Sequence, residues 1–169
     1  MNVTLITDAS WCPDQLVSGY GYWVACARGK LGGGGRCTSA SVETSTVAEM
    51  MGVCNSLFEC YKAGYIVRGD RILIQTDCVA AIKAFEGIRF ANLNRQERMV
   101  VKYLHELQKA LDLELTFRHV KAHTQTQDAR SVTNRMCDKV AKKFMREARN
   151  SARIRAIKEM FLNGVDHAS

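Results

Sequence analysis

"VTLITD" at residues 3–8 and "RILIQTD" at residues 71–77 decide the fold. Each is an apolar, β-branched run that reads as a buried strand, and each closes on Thr-Asp. Laid side by side as parallel strands, the two bring Asp8 and Asp77 to the same end of one sheet. That end is where open α/β sheets place their ligands. Two ionised carboxylates held that close repel unless a cation lies between them, and hard divalent cations take oxygen ligands from such acids. Either aspartate alone is explained by a cap or turn after a strand. The matched pair favours a site.

Working outward, "WCPDQLVSG" (11–19) reads as a turn. It leads into two further strands, "YGYWVACARG" and "KLGGGGRCTSA", with a tight turn at Gly29-Lys30. Four consecutive glycines, 32–35, suggest a bulge, a sheet edge or the close approach of another backbone. From Thr46 the apolar residues recur at helical spacing, ending near Gly64. "CVAAIKAF" reads as a short helix ended by Gly87. Residues 93–112 read as a longer helix with Met99, Val100, Tyr103, Leu104, Leu107 and Leu111 on one face. "LELTFRHV" (113–120) is a fifth strand, and a basic helix runs from about Val132 into the 150s. An opening antiparallel meander followed by alternating elements predicts an α/β fold, a mixed five-stranded sheet flanked by helices.

With 169 residues, 47% hydrophobic residues and one proline, the chain fits one ordinary domain and is not disordered. No uncharged apolar run reaches the roughly 18 residues that span a bilayer. The N-terminus opens straight into a strand rather than a secretory signal. These features predict a cytoplasmic protein with no membrane association. Seven cysteines without a C-x-x-C pair match neither a disulfide framework nor a zinc module. Residues 1–120 carry 13 Lys/Arg against 12 Asp/Glu, whereas residues 121–169 carry 11 against 5. A basic C-terminal segment on a neutral body points to a polyanion partner, nucleic acid first, with a solvated helix face as the alternative.

Three further residues join the two aspartates. Glu49 stands three residues after Thr46, the spacing of a capping box. Asp138 lies four residues after Asn134, on the same helix face, and four before Lys142, with which it could pair. His123 sits in a polar stretch and can exchange protons near neutral pH. With His119 it has a zinc-like spacing, but no third soft ligand accompanies the pair. Cys78 and Cys137 each adjoin one of the acids, and a thiol reaching the site would attract soft metals.

Taken together, "TDAS" at 7–10, Glu49 near a helix start, "TDC" at 76–78, "HVKAH" at 119–123 and "NRMCD" at 134–138 resemble the type 1 ribonuclease H family over roughly residues 3–145. The resemblance implies the ribonuclease H-like fold and four metal-binding, catalytic acids, Asp8, Glu49, Asp77 and Asp138. It implies two Mg²⁺ ions, with Mn²⁺ as a substitute, and hydrolysis of the RNA strand of RNA–DNA hybrids. His123 would assist proton transfer or product departure. Ser10, Thr44, Ser45 and Asn134 map to positions near the substrate backbone. The chain departs from the family at Ala9 and Ala122, where glycine is usual, at Cys78, where serine is common, and at Ser45, where asparagine is common. It also lacks a tryptophan-rich basic protrusion. Lys139, Lys142, Lys143, Arg146, Arg149 and Arg153 can form one stripe that takes over the DNA strand, so truncation after Phe144 is expected to weaken binding.

The reading is therefore a monomeric, metal-dependent endonuclease, a ribonuclease H, with residues 1–150 as the catalytic domain and 151–169 as a basic helical extension or tail. The alternatives are a DNA-junction resolvase on the same fold and a non-catalytic hybrid- or RNA-binding module.

Overall fold

A computed structural model describes residues 1–37, 41–120 and 129–165. Strand β1 (Asn2–Cys12) pairs antiparallel with β2 (Val17–Cys26), and β2 pairs antiparallel with β3 (Gly29–Arg36). On the other side of β1, β4 (Arg71–Thr76) and then β5 (Glu114–His119) add in parallel. The order β3-β2-β1-β4-β5 makes one mixed five-stranded sheet, as the sequence predicts.

Helices α1 (Ser45–Lys62), α2 (Val79–Phe85) and α3 (Arg95–Leu111) pack with one face of the sheet, and α4 (Ala129–Val165) packs on the other. Alternation along β2 makes the division. Tyr20 and Tyr22 point toward α1 and join the core with Val3, Leu5, Met50 and Ile74. The intervening Gly19 and Gly21 face α4. A Cβ on Gly21 would lie 2.2 Å from the Cys137 carbonyl oxygen, and one on Gly19 would lie 2.3 Å from the Met145 nitrogen. The helix backbone thus rests directly on the strand backbone. Of the four consecutive glycines 32–35 in β3, Gly34 extends this track beneath Val140, while Gly33 and Gly35 lie under the rings of Tyr22 and Tyr20. Here β3 is a sheet edge and the glycines admit neighbours closely, as two of the three sequence expectations have it. The register across β2–β3 is continuous, so no bulge forms.

Several boundaries differ from the sequence reading. The β2–β3 turn falls at Ala27–Arg28, two residues before Gly29-Lys30. β1 runs four residues past Asp8, because β2 continues to pair with it as far as Cys12↔Val17. On α3 the inward face holds Glu97, Val101 and Leu104, with Val100, Leu107 and Leu111 packed beside them. Met99 and Tyr103 are exposed. Glu97 is buried because it closes a capping box with Asn94, which tethers the charged residue at the helix start.

At the end of the sheet away from Asp8, Asp70 ties the parallel strands together. It is 2% exposed and accepts the Val67 N–H at 2.9 Å, with the N-terminal ammonium 3.0 Å away and Arg28 beside it. Burial pushes its carboxyl up, but these hydrogen bonds and the Arg28 charge outweigh that and hold it below the usual carboxylate range. The Asp70 carbonyl accepts from Glu114 of β5, and Arg71 N–H donates to Met1. These contacts set the register that aligns the opposite strand ends.

Candidate active site

Parallel pairing of β1 with β4 stops at Ile6↔Gln75, and Asp77 follows β4 directly. Asp8 and Asp77 therefore stand where the two strands part. Thr7, the residue before Asp8, is anchored inward by its hydroxyl contact with Ser56 at 3.2 Å. Thr76 accepts the Cys78 N–H at 3.2 Å and shapes the turn into α2.

Glu49 arrives from α1. The cap of that helix is Thr44, whose hydroxyl accepts the Val47 N–H at 3.1 Å. The T-x-x-E spacing from Thr46 is thus not used for capping. Glu49 Oε1 accepts the Ala9 N–H at 3.3 Å, one residue from Asp8. One carboxylate oxygen each of Asp8, Glu49 and Asp77 lie within 4.8 Å of one another. Glu49 Oε2 is sealed from solvent with no hydrogen-bond donor among the described residues.

Burial and neighbouring charges raise the proton affinity of two of these acids. Burial first, then the Asp77 and Asp138 carboxylates, push Asp8 up to about 7, against the opposing Ala9 N–H and Lys142 ammonium. Glu49 is raised too, by burial and then by Asp8 and Asp77. A sealed acceptor without a donor, beside the two buried carboxyls Asp8 and Glu49 that resist ionisation, is the condition a divalent cation relieves. An all-oxygen donor set suits a hard ion. Neither adjoining cysteine belongs to the cluster. The Cys137 thiol donates to the Ile6 carbonyl at 3.7 Å, and burial pushes it up to about 12.

Asp138 reaches the site from α4 but stands outside the trio, paired instead with Lys142 at 2.8 Å. It lines the cleft over the acids and keeps the i,i+4 pair with Lys142. A cleft of about 360 Å³ opens over the acids, and its walls include Ser10, Trp11, Ser45, Asn134, Arg135, Asp138 and Lys142. Asn134 is buried, and its Oδ1 has no partner among the described residues. Thr44 sits one residue beyond the cleft wall at the α1 cap, and Lys139, Lys143 and Arg146 are exposed farther along α4. His123 lies outside the described residues. Trp11 and Arg135 are cleft residues that the sequence reading passed over. The signal for Trp11 was available: a tryptophan three residues beyond the first acid, in a stretch otherwise fit for a turn.

A mixed sheet with carboxylates converging where its central parallel strands part, walled by a helix packed on glycines, defines the ribonuclease H-like class of α/β proteins. The sequence profile of the RNase H family matches residues 1–146, and the chain belongs to that family of nucleases. Three solved structures have the same fold. RNase H1 of Halobacterium salinarum is 17% identical, with a TM-score of 0.64 over 87% of this chain and 99% of its own. The N-terminal RNase H domain of Mycobacterium tuberculosis rv2228c is 19% identical, with a TM-score of 0.64 over 89% and 98%. LC11-RNase H1, solved in complex with an RNA/DNA hybrid, is 13% identical, with a TM-score of 0.66 over 86% and 98%. No curated protein sequence matches the chain. Among the described residues no helix is long and apolar enough to cross a membrane.

Proposed function

We propose that this chain is a metal-dependent endoribonuclease that hydrolyses the RNA strand of RNA–DNA hybrids, acting as a cytoplasmic monomer. The observation that carries the reading is the trio Asp8, Glu49 and Asp77, one oxygen of each within 4.8 Å of the others, together with a Glu49 Oε2 that has no donor among the described residues. Family membership and the hybrid bound to LC11-RNase H1 support the choice of substrate. The trio would hold divalent ions, with Asp138 completing the set on release from Lys142. Two such ions, Mg²⁺ or Mn²⁺, would supply the Lewis acidity that phosphodiester hydrolysis needs.

The chain's own groups do the rest. The Ala9 N–H fixes the Glu49 carboxylate. Asn134, with its free Oδ1, and the hydroxyls of Ser10, Thr44 and Ser45 are suited to reading the ribose 2′-hydroxyl and sugar–phosphate backbone. His123 would carry a proton to or from the cleaved phosphodiester. Residues 1–150 would form the catalytic unit and 151–169 a basic extension of α4.

The test is cleavage of a labelled hybrid with and without Mg²⁺, beside RNA duplex, DNA duplex and a four-way DNA junction. Metal-dependent cutting of the hybrid's RNA strand alone is expected. Cutting of the junction would make the chain a resolvase, and binding without cutting a non-catalytic module.

Lys142 supplies a prediction that does not depend on turnover. Its ammonium pairs with Asp138 at the cleft mouth and is half-exposed, so the pair itself contributes only about 0.3–0.5 kcal/mol. Its repulsion of an incoming divalent ion is larger, on the order of 1 kcal/mol at about 6 Å in a water-like dielectric. Lys142→Met should therefore tighten Mg²⁺ or Mn²⁺ binding roughly 3- to 10-fold in a calorimetric titration.

The basic stripe is best tested by substitution. Truncation after Phe144 would remove buried Ala148 and the Ser151 hydroxyl that accepts from Arg36 at 3.2 Å, unseating the helix itself. Lys139, Lys143, Arg146 and Arg153 are exposed. Replacing all four with glutamine should lower the slope of log affinity against log salt by about 3 if each meets a phosphate. An unchanged slope would remove the stripe from the interface.

A further inference from the structure

We propose that Trp11 is a nucleotide-stacking residue of the cleft, its indole face packing against a base or sugar close to the scissile phosphodiester. This inference rests on the nucleic-acid reading above and deepens it. Trp11 stands three residues beyond Asp8 on β1, half-buried, and lines the cleft next to Ser10 and Ser45. At the strand rise of about 3.3 Å per residue, this sets it about 10 Å from Asp8, within a few nucleotide steps of a phosphate at the acids.

The ring is held in place. Its N–H donates to the Val42 carbonyl at 2.7 Å, and its inner side packs on the hydrophobic core. The segment that receives it is pinned in turn. The Val42 N–H donates to the Leu16 carbonyl at 2.7 Å. Gln96 of α3 donates to the Ser41 carbonyl at 3.0 Å and accepts the Glu43 N–H at 3.1 Å. With its one polar atom satisfied, the indole offers only apolar surface to a cleft whose other walls carry carboxylates, hydroxyls, Asn134 and cations. Such a rigid aromatic wall beside charged groups suits a nucleotide, because every base presents a π-face and every backbone a phosphate. Little ordering entropy is lost on contact, since the ring is already fixed.

The experiment compares Trp11→Phe and Trp11→Leu for binding of a fluorescently labelled RNA–DNA hybrid in EDTA, with steady-state cleavage in Mg²⁺. The leucine variant should bind roughly 5- to 100-fold more weakly, by a similar factor for hybrids of different sequence. Its KM should rise while kcat stays within about 3-fold of the parent. Phenylalanine keeps a stacking face, so that variant should stay within about 3-fold in both readouts. Both variants lose the donor to Val42, so equal impairment of the two would mean that Trp11 serves only as a clamp, which overturns the proposal. Should the leucine variant fail to fold, a Trp23→Phe chain leaves Trp11 as the sole indole. Its emission should change on saturation with hybrid, and an unchanged spectrum overturns the proposal. If the parent binds and cleaves hybrid while Trp11→Leu matches it, stacking alone is refuted. If the parent neither binds nor cleaves hybrid, the nuclease reading falls, and stacking with it.

Discussion

Asp8→Asn is expected to abolish hybrid cleavage, by about 10³-fold or more, and at the same time to raise the melting temperature of the metal-free protein above pH 7. Both effects come from one charge. Burial and the neighbouring carboxylates push the Asp8 carboxyl from 3.8 to about 7 in the folded chain. Between those two values the folded state keeps a proton that the unfolded state has released. Stability is therefore fully present below about pH 4 and is lost as pH rises toward 7. A shift of that size corresponds to at most about 4 kcal/mol, less whatever relaxation of the cleft recovers. Asparagine keeps the shape and removes the charge. If half of that limit is recovered, the melting temperature in EDTA should rise by roughly 4–8 °C at pH 8 and hardly at all at pH 4. Mg²⁺ should flatten the parent's pH dependence and leave the variant unmoved. Melting curves from pH 4 to 8, with and without metal, test the stability effect, and the hybrid assay tests the catalytic one. A variant that is less stable at pH 8, or that still cuts, would show that Asp8 is not the strained ligand described here.

The second large effect concerns a residue that touches no substrate. Gly21→Ala is expected to destabilise the chain by about 3 kcal/mol and to lower kcat as well. The added methyl would sit 2.2 Å from the Cys137 carbonyl, against backbone that cannot rotate aside. To restore ordinary contact at about 3.4 Å, α4 must lift by about 1 Å, carrying Asp138 and Asn134 with it. If these two act on the substrate as proposed, a 1 Å displacement costs about 10²-fold in rate. Urea unfolding measures the first effect and single-turnover cleavage by the folded variant the second. Gly64→Ala is an instructive contrast: nothing lies within 4 Å of the added carbon, but φ is +77°. It should cost stability through strain without altering cleavage by the folded fraction. Parent-like stability and rate in Gly21→Ala would mean that α4 is not seated on β2 as closely as described.

The sheet was legible because its strands advertise themselves. "VTLITD" and "RILIQTD" carry both the strand pattern and the acids, and their shared ending foretold a shared edge. Glu49 was ambiguous because Thr44, Ser45 and Thr46 can each cap a helix, and only the cap actually used frees the glutamate for Ala9. The far reach of β1 was hidden, since "ASWC" lacks a strand's alternation and is held by its partner β2. The bed of α4 was written more openly than it was read. In "SGYGYW" glycine and aromatic residues alternate with the period of a strand, so one face is bare and the other full. Met99 and Tyr103 were misplaced because helical periodicity gives the width of an apolar arc but not its centre, which packing decides.

Asp8 comes from the first strand and Asp138 from the last helix, 130 positions apart in the chain. A ribosome therefore delivers the first acid 130 residues before the last. Before α4 emerges, Gly19, Gly21 and Gly34 face nothing, and the cleft has no far wall. The unfinished polypeptide has α1 to cover one face of the sheet, but it lacks Asp138 and the cleft wall that α4 brings. The cleft is thus complete only once the closing helix docks, so the order in which the elements emerge fixes the order in which the site is assembled.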